Sequence, residues 1–281
     1  MPGYRGGMRI ALCQLPGSSD PGVNLRRVRD ALRDAALSGA DLAVFPEATM
    51  ARFGSDLRAA AEPLDGPFCS DLSAAAKETG VALVAGVFEP APGGRVYNTA
   101  VVIDGEGALV ASYRKLHLFD AFAQHESETV APGSSVVMAT LAGVPVGVQI
   151  CYDIRFPELT RALAAGGASL VTVSAAWQAG LFKEEHWVTL LRARAIENTV
   201  WIAAVGQVPD PDEKPTAAPT GVGRSMLIDP LGVVRCDLGP TPRVAVMDAD
   251  MAAVDAVRDT LPSLANRRED VFGRPVPPAG H

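Results

Sequence analysis

Three polar side chains in this chain stand directly behind apolar runs. Glu47 closes Asp41-Leu42-Ala43-Val44-Phe45-Pro46-Glu47, Lys115 follows Tyr113-Arg114, and Cys151 follows Val146-Gly147-Val148-Gln149-Ile150. Together a thiol, a carboxylate and an ammonium could cleave an amide covalently. The thiol supplies a nucleophile reactive enough for a poor electrophile. Glu47 would take the thiol proton and return it to the leaving amine, if burial raises its pKa from the weakly basic value it has in water. Lys115 would hold a fixed positive charge against the tetrahedral oxyanion, joined by the backbone N–H of Tyr152. Cys151 lies where an apolar strand gives way to a polar turn ahead of Pro157, a residue suited to open a helix. Backbone N–H groups at such a junction can lower a thiol pKa. Each residue also has an ordinary reading: an inert core cysteine, a solvated turn acid and a surface lysine beside Arg114.

The elements that would hold these residues alternate between strand and helix. Strands are expected at Met8–Leu15, Leu42–Phe45, Val81–Phe88, Tyr97–Ile103 and Leu109–Tyr113, and again at Gly143–Ile150, Leu170–Ser174 and Val200–Val205. Helices are expected at Asn24–Leu37 (with Gly39 as its stop), Phe68–Thr79, Pro157–Ala165, Glu184–Asn198 and Met251–Arg258. Strands at Ser225–Ile228, Val233–Cys236 and Val244–Met247 fill the last third. Alternation of this kind implies an α/β fold, with helices on the outer faces of sheets and no linker dividing residues 1–281. Two stretches, one ending at Glu47 and one at Ser174, share an order of helix, glycine, apolar strand and polar turn, which hints at two related halves. Residues 208–222, rich in Pro, Asp and Gly, read as one loop at the rim of a site. Residues 1–7 and 274–281 read as tails without regular structure.

Composition narrows the function. With 48% hydrophobic and 20% charged residues the chain is globular in type. A net charge of −7 and the lack of a basic stripe argue against nucleic acid or an anionic membrane as partner. The amino terminus lacks the apolar core of a secretory leader. Four cysteines without a CxxC pair, and four histidines without ligand spacing, fit neither a disulfide framework nor a metal site. A cytosolic protein without a metal is the expectation.

Phe45-Pro46-Glu47, Lys115-Leu116-His117 and Cys151-Tyr152-Asp153 occur in that order, and the ordered set resembles the nitrilase superfamily of carbon–nitrogen hydrolases, marked by a Glu-Lys-Cys triad. Glu126, in Gln124-His125-Glu126-Ser127, matches a second glutamate of that family. Further matches run through Arg192–Asn198, Gly223-Arg224-Ser225 and Asn266-Arg267-Arg268, so the resemblance spans Met8 to about Phe272. It implies a four-layer α-β-β-α sandwich, often paired into a homodimer, and an activity that needs no cofactor. Glu126 would fix Lys115 or the attacking group by a charge-assisted hydrogen bond. Relatives commonly carry Gly-His-Ser where this chain has Gly223-Arg224-Ser225, which puts the packing or the pocket rim there in question.

For the substrate, Cys-Tyr-Asp-x-Arg-Phe-Pro looks most like the amidase branch related to Nit-type ω-amidases, which act on short carboxylated amides. Arg155 would then clamp the carboxylate, or else pair with Asp153 or Glu158 to support the turn. Trp177 would form an apolar pocket wall or fill the core. N-carbamoyl amine or nitrile hydrolysis on the same triad stays open, as does a non-catalytic subunit that keeps the scaffold.

Overall fold

The computed structural model describes residues 6–214 and 217–272. In chain order the elements are β1 (Gly7–Gln14), α1 (Pro21–Leu37), β2 (Leu42–Val44), α2 (Leu57–Ala60), α3 (Pro67–Thr79), β3 (Ala82–Ala91), β4 (Arg95–Ile103), β5 (Leu109–Arg114) and β6 (Val130–Ala131). They continue with β7 (Met138–Leu141), β8 (Val144–Ile150), α4 (Pro157–Ala165), β9 (Leu170–Ala175), α5 (Lys183–Asn198), β10 (Trp201–Gly206), β11 (Met226–Ile228), β12 (Val234–Asp237), β13 (Arg243–Asp250), α6 (Ala252–Thr260) and α7 (Glu269–Phe272). One sheet has the order β13-β1-β2-β3-β4-β5, with β6 beside β4; the other runs β12-β11-β10-β9-β8-β7.

Period-two alternation sorts the strand residues between layers. Ile10, Leu12, Leu42 and Val44 share a core with Val146, Val148, Val171 and Val173 of the second sheet. Their neighbours Ala11, Cys13, Ala43 and Phe45 turn outward into a second core with α1 and α3. On the far side, α4 and α5 cover the second sheet with Leu159, Leu163, Trp187 and Leu191. The result is the α-β-β-α sandwich. α1 shows why the helices form: the Asp20 carboxylate accepts from the N–H of Gly22, Pro21 opens the first turn, and Gly39 turns left-handed (φ 72°) just past the end. Val28, Ala31, Leu32 and Ala35 form its buried stripe, and each larger side chain there contributes about 1.5–3 kcal/mol.

Several elements depart from expectation. β7 lacks a sequence signal because its hairpin turn to β8 is Ala142-Gly143, with both residues at positive φ; alanine there hides what an Asn-Gly pair would advertise. β6 and α2 are too short to carry a period. α5 begins one residue early, so that Lys183 joins its first turn. β2 and β9, the strands that end near Glu47 and Ser174, each lie between two parallel neighbours. The expected amino-terminal tail includes Gly7, which instead opens β1; residues 1–5 and the expected tail 274–281 lie outside the described residues. No helix among the described residues is long and apolar enough to cross a membrane.

Candidate active site

Glu47 follows β2 by way of Phe45 and Pro46. The chain crosses β3 so closely there that a Cβ on Gly86 would meet the backbone N of Ala48 at 2.6 Å. The same glycine's carbonyl accepts from the N–H of Met50, and the Ser174 hydroxyl donates to the Phe45 carbonyl at 2.7 Å, joining the ends of β2 and β9 across the two sheets. Lys115 prolongs β5: its N–H donates to the carbonyl of Asn98 on β4 at 2.9 Å. Cys151 heads a 3₁₀ turn, Cys151–Arg155, directly behind β8, and its backbone is left-handed at φ 45°. A non-glycine residue in that region is strained by about 1–2 kcal/mol. Asp153 holds the turn, its carboxylate accepting from the N–H of Ile150 (2.9 Å), the N–H of His117 (3.1 Å) and the Tyr113 hydroxyl (2.7 Å). His117 Nδ1 lies 2.8 Å from the same carboxylate, and its ring stacks on Phe156 at 3.8 Å.

These three strand ends converge. Lys115 Nζ lies 2.8 Å from Glu47 Oε1 and 2.9 Å from Glu126 Oε2, with all three side chains buried. Asn98 Nδ2 donates to both glutamates, at 2.8 and 3.1 Å. The reverse amide orientation would face its oxygen to two carboxylates, so the donor assignment is chemically fixed. The N–H of Ala176, just past β9, donates to Glu47 Oε2 at 2.9 Å, and the N–H of Phe119 donates to Glu126 at 2.6 Å. Burial works against the Lys115 ammonium, but the charges of Glu126 and Glu47 outweigh it and hold the lysine well above its ordinary pKa.

Cys151 differs from expectation. Burial, followed by the charge of Glu47, pushes its thiol well above the ordinary cysteine value, and Lys115 only partly offsets them. The site therefore holds Cys151 as a thiol, not as a preformed thiolate.

The convergence forms the floor of a cavity of about 280 Å³, large enough for a small molecule. Glu47, Lys115, Glu126, Cys151, Tyr152 and Trp177 all line it. Arg155 is not among the lining residues. Its guanidinium lies 4.9 Å from the Trp177 ring centre and 3.4 Å from His186 Nδ1, and no ion pair joins it to Asp153 or Glu158 among the described residues. Ala218 and Pro219 bring the 208–222 loop to the cavity wall. Arg224 is not among the lining residues: it binds Asp237, with Nη2 at 2.5 Å, and Glu184 at 3.4 Å, so the departure from Gly-His-Ser is absorbed by ion pairs between loop, strand and helix. Among the described residues no cluster of three or more His, Cys, Asp or Glu could hold a metal ion.

Asn98, Ala176 and Lys183 escaped the sequence reading. An asparagine inside a strand and a backbone N–H carry no motif, and Lys183 reads as one more charge at a helix start.

The carbon–nitrogen hydrolase family model matches residues 9–259. The chain is 45% identical over 273 residues to hydrolase Rv0480c of Mycobacterium tuberculosis, covering 94% of this chain and 97% of that one. It is 35% identical over 270 residues to omega-amidase NIT2 of Danio rerio, covering 94% and 96%. Among solved structures it superposes with a TM-score of 0.81, at 30% identity and 96% and 97% coverage, on a mutant amidase from Nesterenkonia sp. AN1 that carries the acetamide moiety of fluoroacetamide on its active-site cysteine.

Proposed function

This chain belongs to the carbon–nitrogen hydrolase family, and from that premise we propose that it is an amidase, one that hydrolyses a small carboxylated amide through a thioester on Cys151 and releases ammonia. One observation carries the reading: the Glu47 carboxylate accepts from Lys115 at 2.8 Å and lines, with Lys115 and Cys151, one cavity of small-molecule size. The similarity to an omega-amidase supports the substrate class.

With the thiol protonated at rest, the proton must move as attack occurs. Sγ of Cys151 bonds to the amide carbon while Glu47 accepts the thiol proton. The carbonyl electrons move onto oxygen, where Lys115 and the N–H of Tyr152 stabilise the charge. First-turn N–H groups such as that of Tyr152 lack a partner within their own helix, which leaves them available to a ligand. The carbon–nitrogen bond then breaks, Glu47 gives its proton to the leaving nitrogen, and ammonia departs. A water deprotonated by Glu47 attacks the thioester, the carbon–sulfur bond breaks, and the proton returns to sulfur as the acid leaves. Glu126 and Asn98 keep Lys115 and Glu47 aligned throughout.

The experiment is ammonia release from a panel of ω-amides, N-carbamoyl amines and nitriles, with Cys151→Ala alongside. Release from carboxylated amides by the wild type alone is the expected result. Carbon dioxide released with ammonia, or turnover confined to nitriles, would replace the amidase reading. Equal turnover by Cys151→Ala would remove the thioester.

A further inference from the structure

The cavity holds a second ammonium that the mechanism above does not use. Lys183 is buried (3% exposed) and lines the cavity, yet no carboxylate pairs with it among the described residues. What surrounds it is aromatic, with the ring centres of Phe122, Phe119 and Trp177 at 4.4, 4.7 and 5.1 Å. Ring faces attract a cation without neutralising it.

Stability gives no reason for a charge here. Lys183 is the first residue of α5, a 16-residue helix whose amino-terminal dipole favours acids. The acids expected at that end, Glu184 and Glu185, are present but exposed, whereas the lysine turns inward. Phe182 just before it is left-handed at φ 57°, so the chain enters the helix through strained backbone. A methionine would fill the same aromatic cleft without a buried charge. Burial pulls the ammonium below its ordinary pKa, and the nearby charge of Arg155 adds to the effect.

We propose that Lys183, backed by the first turn of α5, receives the carboxylate of the substrate and so makes the cavity select acid amides over neutral ones. The inference rests on the amidase reading and assigns its specificity to a residue. Two consecutive residues tie Lys183 to the catalytic group: the N–H of Ala176 donates to Glu47, and the Trp177 indole N–H donates to the Lys183 carbonyl at 2.7 Å. Arg155, the expected clamp, supports Trp177 from outside the cavity wall.

The test compares kcat/KM for succinamate and glutaramate with that for butyramide in wild type, Lys183→Met and Lys183→Arg. In Lys183→Met the ratio of acid to neutral amide should fall roughly 10- to 100-fold, mostly through KM, the size expected for losing one charge-assisted contact. Lys183→Arg keeps the charge and should retain more of the ratio. A Lys183→Met ratio unchanged from wild type overturns the proposal. A wild type that prefers butyramide overturns the proposal while leaving the amidase chemistry standing; one that works only on N-carbamoyl amines or nitriles instead overturns the amidase reading, and does so before any substitution at Lys183. Calorimetry on Cys151→Ala with succinate and glutarate gives a second measurement independent of turnover. Binding that disappears when Lys183→Met is added supports the proposal; absence of binding to Cys151→Ala, or binding that survives Lys183→Met, overturns it.

Discussion

Removing the Lys115 ammonium should separate its two jobs. Glu47 and Glu126 both accept from that one nitrogen, at 2.8 and 2.9 Å. The two carboxylates are thus within about 6 Å of each other, and at an effective dielectric of about 20 they repel by roughly 3 kcal/mol once the cation is gone. Taking one partner from a buried ion pair costs about 3–5 kcal/mol in all. For a domain of this size, Lys115→Met should therefore lower Tm by roughly 6–15 °C. It should also lower kcat at least about 100-fold, because the oxyanion loses its charged partner. Adding Glu126→Gln deletes the second carboxylate charge, so the double variant should regain much of the lost Tm and none of the lost rate. Thermal scanning and ammonia release on the same samples read both. A double variant that recovers turnover as well as stability would show that Lys115 is only a counter-ion, and the oxyanion argument would fail.

Three further outcomes follow from the geometry. Cys151→Ala and Cys151→Gly should both stop ammonia release, and the glycine variant should match or exceed the alanine variant in urea stability, because φ 45° suits glycine; a clearly weaker glycine variant would argue against strain at that position. Asn98→Ala, which removes donors to both glutamates, should lower kcat/KM roughly 10- to 100-fold, and an unaltered value would show that the bridge is dispensable. Glu213 accepts from the N–H and hydroxyl of Ser19 and from the Ser18 hydroxyl and pairs with Arg52, and these hydrogen bonds, Ser19's first, lower its pKa to about 2. Its folded-state value is depressed, so its stabilisation is complete above the ordinary glutamate range and fades as the pH falls toward that value. Glu213→Gln should speed hydrogen exchange in residues 208–214 at neutral pH, while the wild type should keep its protection until the solution is strongly acid; identical exchange in the two proteins would contradict the anchoring.

The residues legible in the sequence were those whose position is announced by a neighbouring element. Glu47, Lys115 and Cys151 each end an apolar strand, so type and place were visible together. The rest depends on what meets what. Asn98 faces two carboxylates only because β4 lies beside β5, and the N–H of Ala176 reaches Glu47 only because the two sheets pack face to face. Lys183 was hidden by a one-residue difference in where α5 starts, which decides whether the side chain points inward or out. Local rules also misjudged the Cys151 thiol: they count the amide donors of a turn, whereas burial and the charge of Glu47, a hundred residues earlier in the chain, raise its pKa. Arg155 stands at the right spacing for a clamp; in the fold its guanidinium lies 4.9 Å from the Trp177 ring centre and is not among the residues that line the cavity, a placement its spacing alone does not give.

The partition of the site between two sheets has a consequence for how the protein comes into being. Glu47 and Lys115 belong to the first sheet and are 68 residues apart, while the bond from Ala176 to Glu47 spans 129 residues and crosses to the second. Contacts this distant in sequence raise the contact order, which slows folding, because their loop closure must be met before they give anything back. The first sheet itself stays open at one side until β13, near the carboxyl end, pairs along β1 from Gly7↔Asp250 to Gln14↔Arg243. A chain growing from its amino terminus thus makes its base and its lysine long before the thiol meets either. Until the two sheets dock, Cys151 is an ordinary cysteine, because its base and its lysine stand on the other sheet.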